Sequence, residues 1–191
     1  MKSKLTAIMV ATALCAAFLP IAGCESTGLT KSAGASTSSL STQAKAALND
    51  LKASNPAAAA LAADARGILV FPKVIKGGLV IGAMNGEGAM IQNNNVTGYY
   101  DTSGASYGLQ AGVQSFSYAL FFMSDEDMTY LSNSSGWEVG VGPSVVVVDS
   151  GIASSLTTTT ARKGVYCFFF DQKGLMAGLG IQGTKITRLQ R

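Results

Sequence analysis

Three cysteines, eleven carboxylates and no histidine bound the chemistry open to this chain. Without imidazole, neither a Ser-His-Asp nor a Cys-His nucleophile system can be built, and zinc loses its commonest nitrogen ligand. No Ser-x-x-Lys motif is present either. The acids Asp125, Glu126 and Asp127 follow Ser124, where they complement the dipole of a helix starting there. Asp64, Glu87, Asp101, Glu138, Asp149 and Asp171 are scattered, and nothing in their spacing requires a catalytic pair. Gly178-Leu179-Gly180-Ile181-Gln182-Gly183 fits the dinucleotide pattern G-x-G-x-x-G. That pattern needs a following helix and an acid about 20 residues on, and only eight residues follow Gly183. These residues therefore read as glycines in a bent strand. The expectation is a protein that is not an enzyme, with no metal and no cofactor.

The cations are more suggestive. In Phe71-Pro72-Lys73-Val74-Ile75-Lys76-Gly77-Gly78, Lys73 and Lys76 stand among apolar residues and glycines, a composition suited to touching lipid headgroups at an interface. Arg162 and Lys163, after the polar run "TTTT", and Lys173 offer further contacts. The alternative is that Lys73 and Lys76 are solvated turn charges over a core containing Phe71 and Val74. Trp137 and the pair Tyr99-Tyr100 are amphipathic and suit an interface or a core equally.

Of the cysteines, Cys24 has the most telling neighbours. Lys2 and Lys4 give a positive start and Leu5 to Leu19 an apolar run of 15 residues, followed by small residues. That is the shape of a secretory signal peptide; a bilayer-spanning helix needs about 20 apolar residues. Ile21-Ala22-Gly23-Cys24 resembles the lipobox of bacterial lipoproteins, with Ile where Leu is more frequent. The resemblance implies cleavage before Cys24, a thioether-linked diacylglycerol on its sulfur and acylation of the new amino group. Three acyl chains exceed the two signals that stable anchoring requires. Glu25 stands where an Asp would imply retention in the inner membrane, so the expected location is the outer membrane, facing the periplasm. Cys15 leaves with the signal and Cys24 is acylated, which makes Cys167, within "VYCFFF", the remaining thiol. It reads as a buried small hydrophobe rather than a nucleophile.

Cleavage would remove 23 of the 191 residues and leave 168, enough for one domain with a real core. It would also lower the basic count from 14 to 12 against 11 acids. So balanced a chain lacks the basic excess of a nucleic-acid binder. Residues 24–39 are small and polar and read as anchor and flexible tether. From Leu40 to Ala65 the chain is alanine-rich and helical, with Ala44, Ala47, Leu48 and Leu51 at helical spacing. Ser54-Asn55-Pro56 divides it, with Asn55 as N-cap and Pro56 in the first turn. After Gly67 the period changes, and 19 of the 22 glycines fall between Gly67 and Gly183. Strands are expected at 67–71, 78–84, 87–92, 96–101, 107–113, 115–122, 137–148, 164–170 and 175–182, with hairpin turns at Asn85-Gly86 and Gln172-Lys173-Gly174. Runs such as Val145 to Val148 suggest strands covered on both faces. Glycines inside strands mark bulges, sharp bends or close backbone approach. The fold class is α+β, with N-terminal helices packed on a strongly curved, glycine-rich antiparallel sheet or partial β-barrel. A transmembrane barrel is the alternative all-β reading; it would need repeated strands of about ten alternating residues, and a lipobox would be an odd start for one.

Several ordered blocks carry a second resemblance. "ADARGILVFPKVIKGGLVIGAMNGEGAM", "SYGLQAGVQ", "GVGPSVVVV" and "GVYCFFFDQKGLMAGLGIQGTKI" look like successive blocks of the SYLF domain family, and "LSTQAKAALNDL" is similar to its N-terminal helix. The resemblance covers residues 40–191 and implies a phospholipid-binding domain. Eukaryotic members bind phosphoinositides and associate with actin structures. The actin partnership does not carry over to a bacterial envelope, where other anionic phospholipids are the available ligands. The expectation is thus a lipid-anchored envelope protein that binds phospholipid headgroups through Lys73, Lys76, Arg162 and Lys163. The competing expectation is a scaffold lipoprotein that binds another envelope protein through a sheet edge or apolar surface.

Overall fold

Proline cannot continue a helix from within, but it suits the first turn. Accordingly the alanine-rich segment forms two helices, α1 (Thr37–Ser54) and α2 (Pro56–Asp64). Ser36 caps α1, and the Asn55 side chain accepts from Ala58 N at 3.1 Å to cap α2. The computed structural model describes residues 36–133, 136–139, 141–149, 163–174 and 183–190. Helix α1 thus takes in residues 37–39 of the stretch read as tether. Leu40, Ala44, Leu48 and Leu51 form its buried stripe, the periodicity expected of a helix lying on a sheet.

Two long strands dominate the sheet. β1 (Gly67–Gln92) and β2 (Asn95–Phe122) pair antiparallel from Gly67 opposite Phe122 to Gln92 opposite Asn95. Asn93 and Asn94 make the connecting turn, with φ of 48° and 65°. Two consecutive left-handed residues are what a tight hairpin demands, and asparagine tolerates that region better than most residues. Asn85-Gly86, expected as a turn, instead lies inside β1 opposite Ser103 and Thr102. The strands expected at 78–84 and 87–92 are therefore one.

Along its other edge β2 pairs with β5 (Val165–Gly174) over residues 114–122 and with β6 (Thr184–Leu189) over 99–104. β3 (Trp137–Glu138) adds to β6, and β4 (Val145–Val147) to β5. Among the described residues the sheet has six strands and curls into a half-barrel. It is not wholly antiparallel: β4 runs parallel to β5. The 137–148 region, expected as one strand, makes two short ones because the chain turns between Val139 and Ser144. Gln172-Lys173-Gly174, expected as a turn, continues β5. The irregularity there is a bulge, with Asp171 at φ 50°.

The curl comes from β1 and β2 folding over at their middles. A Cβ on Gly78 would stand 2.2 Å from the Ile81 carbonyl oxygen and 2.4 Å from Gly82 Cα, and Val80 has φ 66°. Beyond this corner β1 doubles back on itself: a Cβ on Gly88 would meet the Val70 oxygen and a Phe71 ring carbon at 2.6 Å. Two halves of one strand thus form facing layers, and glycine at the contact lets their backbones approach.

Between the layers lies one core, including Phe71, Val74, Met84, Phe116, Tyr118, Leu120, Trp137 and Cys167. Phe71 stacks on Tyr118 with centroids 4.6 Å apart, and the Tyr118 hydroxyl donates to Thr102 Oγ1 at 2.6 Å. Trp137 is buried, and its indole N–H donates to the Val141 carbonyl at 3.0 Å. The outer face carries a second core, in which Ala44, Leu48, Leu51 and Leu61 of the helices cover Ile68, Val70, Phe121 and Phe168. Tyr99 pins α1 by its hydroxyl, 2.8 Å from Ser41 Oγ and 3.2 Å from the Thr37 carbonyl. Helix α3 (Asp125–Asn133) starts as expected. Ser124 Oγ accepts from Asp127 N and donates to Asp127 Oδ2, which also accepts from Gly164 N at 3.1 Å. Asp127 therefore ties the helix start to the entry of β5, beyond any interaction with the dipole. Gly34–Arg191 forms one compact unit that contains both cores.

Candidate lipid-binding face

The segment from Phe71 to Gly78 passes through a β-bulge. Phe71 opposes Tyr118 and Val74 opposes Phe116, so Pro72 and Lys73 together face Ser117, whose hydroxyl donates to the Pro72 carbonyl at 2.8 Å. Phe71 and Val74 are fully buried between the layers and cannot reach a membrane. Lys73 is exposed at the bulge, whereas Lys76 is half-buried. By the alternation of the strand, Lys76 stands on the side of Val74, opposite Gln114, at the mouth of the inner core. The two lysines, three residues apart, are not brought onto one face.

What gathers on the outer face is apolar. Ile75, Leu79, Ile81 and Val113 are 50%, 75%, 67% and 67% exposed, and Val80 projects beside them at the corner. In register, Ile75 lies opposite Ser115, Gly77 opposite Val113 and Leu79 opposite Ala111. Four large aliphatic side chains on a fold-over corner gain nothing from water, and grouped exposure of this kind marks an interaction surface. Sequence reading placed Leu79 to Ile81 inside a strand and missed the corner. The signal was the bracket of Gly77-Gly78 and Gly82, which marks a bend rather than a covered strand.

Ser115 also pairs with Lys173 of β5, which puts a cation in the same row as Ile75. Lys173 Nζ lies 3.1 Å from Asp171 Oδ1, and both side chains are largely exposed. One row further from the corner, an open groove of about 440 Å3 runs between α1 and the sheet. Pro72, Ala46, Ala47 and Phe170 supply its apolar surface, and Asp50 and Asp171 supply carboxylates.

Lys163 is exposed just before β5, at the far end from Lys173 of a strand run of about 25 Å, and belongs to another part of the surface. Arg162 and Cys24 lie outside the described residues. Cys167 is fully buried, and burial pushes its thiol well above the usual range. Such a thiol is a packing group, since nucleophilic attack needs thiolate. Gly183 is followed by strand β6, which denies the glycine pattern at 178–183 the helix a dinucleotide site requires. Among the described residues no helix is long and apolar enough to cross a membrane.

Residues 103–191 match the family model Ysc84, Las17-binding protein actin regulator. That model describes the SYLF family, the one that the sequence blocks resemble. The match spans most of β2 and everything after it, so it includes Val113 and Lys173. It leaves out α1, α2 and β1, which supply Lys73, Leu79 and Ile81. No curated protein matches the chain.

Proposed function

We propose that the protein is a lipoprotein of a bacterial envelope, anchored through Cys24, whose SYLF domain binds phospholipid without catalysis. The observation that carries this reading is the corner formed by Ile75, Leu79, Ile81 and Val113, exposed and apolar, with Lys173 in the row of Ile75 and Lys73 at the bulge behind it. Aliphatic side chains entering the interface and cations meeting the anionic phosphates are the two forces that hold peripheral proteins on membranes. The family description names actin regulation and Las17 binding; an envelope protein meets neither, whereas phospholipid is at hand. Of the lysines, Lys73 and Lys173 serve the corner, while Lys76 faces inward.

The test is co-sedimentation of residues 34–191, free of any acyl chain, with phosphatidylcholine vesicles and with vesicles containing phosphatidylglycerol, at low and moderate salt. Binding should favour the anionic vesicles and weaken with salt. At about 1 kcal/mol per lysine near an anionic surface, Lys73→Gln with Lys173→Gln should weaken it by about thirtyfold. Binding to no vesicle would refute the proposal and favour an envelope protein as the occupant of the corner.

A further inference from the structure

The corner turns at a residue poorly suited to turning. Among the described residues, positive φ is otherwise confined to Asn93, Asn94, Asp171 and glycines, which tolerate it. Val80, at φ 66°, is the exception. A β-branched residue there is an outlier, because the left-handed conformation crowds its Cβ against the following carbonyl. The chain does not lack glycine at this point, since Gly77, Gly78 and Gly82 stand within three residues of it. The local geometry accounts for the conformation but not for the side chain. Leu79 pairs with Ala111 and Ile81 with Tyr107, so Val80 alone opposes residues 108–110 and the ladder breaks and bends there. Alternation would point residue 80 to the inner side. That side is closed: a Cβ on Gly78 would stand 2.2 Å from the Ile81 oxygen. A glycine or an asparagine would make the same turn without strain. What valine adds is a side chain 44% exposed, between Leu79 at 75% and Ile81 at 67%. Three consecutive aliphatic side chains reach solvent together, which a regular strand cannot arrange.

Resting on the reading that the domain binds phospholipid, we infer that Val80 is a membrane-binding residue, kept in a strained left-handed conformation so that Leu79, Val80 and Ile81 enter the hydrocarbon boundary as one continuous wedge. The strain lowers the stability of the free protein, and the isopropyl group recovers part of that loss when it leaves water. Strained residues persist where the surrounding structure over-determines them, and they cluster where proteins meet their ligands. A bilayer suits this wedge better than a folded partner does. Hydrocarbon yields to any apolar shape, whereas a protein would need a pocket matched to three side chains projecting from a corner. Behind the wedge, Lys173 in the row of Ile75 presents a cation suited to anionic headgroups.

The test measures stability and vesicle binding on the same variants of residues 34–191, with phosphatidylcholine vesicles that contain a fixed minor fraction of phosphatidylglycerol. Val80→Asn removes the strain and the apolar group together. It should raise the folded-to-unfolded ratio by about 5- to 30-fold, read by urea denaturation. Binding should fall by about three- to tenfold, the value of the exposed part of a valine. Val80→Gly should lower binding likewise, which separates the lost side chain from any contact made by asparagine. Val80→Ile keeps the β-branch and adds one methylene, so binding should rise by up to about fourfold with no gain in stability. These changes in binding should be alike at low and moderate salt, because hydrocarbon contact is not screened as charge is. A purely structural role for Val80 would move stability alone. Undiminished binding by a stabilised Val80→Asn would therefore overturn the inference, as would the failure of both Val80→Asn and Val80→Gly to gain stability. Binding of the unaltered protein to no vesicle would overturn the phospholipid reading itself and the inference with it.

Discussion

Replacing Leu79 and Ile81 together by serine should separate membrane binding from folding. Fully burying an aliphatic side chain is worth about 1.5–3 kcal/mol. At 75% and 67% exposure these two residues bury little in the folded protein and have most of that value left to gain at an interface. Complete insertion of both would contribute about 2–4 kcal/mol, so their loss should weaken vesicle binding by about 30- to 1,000-fold. The same exposure makes the pair nearly irrelevant to stability, because surface substitutions usually stay within about 0.5 kcal/mol each. Both quantities are read on one sample, binding by co-sedimentation and stability by urea denaturation. A tryptophan at position 79 adds a direct readout, as its emission should shift to the blue when vesicles are added. Unchanged binding by the folded double variant, with no shift from Leu79→Trp, would refute the assignment of the corner as the inserting surface.

Two further outcomes test the fold. Gly88→Ala would place a methyl group 2.6 Å from the Val70 oxygen and from a Phe71 ring carbon, both held in the core. Forcing the layers apart should cost about 1–3 kcal/mol, seen as a lower urea midpoint, and an undiminished midpoint would argue against the fold-over. Cys167 should resist thiol reagents in the native protein and react once unfolded. Burial raises its folded-state pKa above the unfolded value, so its contribution is complete below about pH 8.5 and falls by up to about 1.4 kcal/mol per pH unit above it. Cys167→Ala should flatten the stability profile there; an unchanged slope would count against the thiol as its source.

Much of the local structure was legible because it depends on near neighbours. The break at Asn55-Pro56 and the cap at Ser124 follow from backbone chemistry within four residues, and the buried stripe of α1 from the helical period. The glycines signalled close approach without saying of what to what. Asn85-Gly86 misled for a related reason. Asn-Gly is a strong hairpin signal when nothing else constrains the glycine, but Gly86 is needed where a Cβ would meet the Lys73 oxygen and Val74 Cγ2 at 2.8 Å. The real turn, Asn93-Asn94, uses the tolerance of asparagine for positive φ and no glycine at all. Which demand a glycine answers is settled by residues far off in sequence, here the other half of the same strand.

The candidate site follows the same division. The composition of Phe71 to Gly78 drew attention to the segment that borders the proposed corner, yet the feature that sorts its residues is the extra residue in the bulge. Without the extra residue opposite Ser117, strict alternation from Phe71 would turn Val74 outward and carry Lys73 and Ile75 inward. The bulge puts Val74 back on the side of Phe71, sends Ile75 outward and leaves Lys73 at its margin. An apolar residue in a strand and one at a corner look alike in sequence, since alternation assigns faces but not what covers them. Here α1 and α2 cover Val70 and Ile68 but not Ile75 or Leu79, so one continuous face is core at one end and free at the other. That free end joins the cations of two strands, Lys73 of β1 and Lys173 of β5, only because β2 pairs with both. A surface made by three strands and the margin of a helix has no contiguous motif. Substituting the predicted pair Lys73 and Lys76 together would therefore sample two faces at once, whereas Lys73 with Lys173 addresses the one that carries the corner.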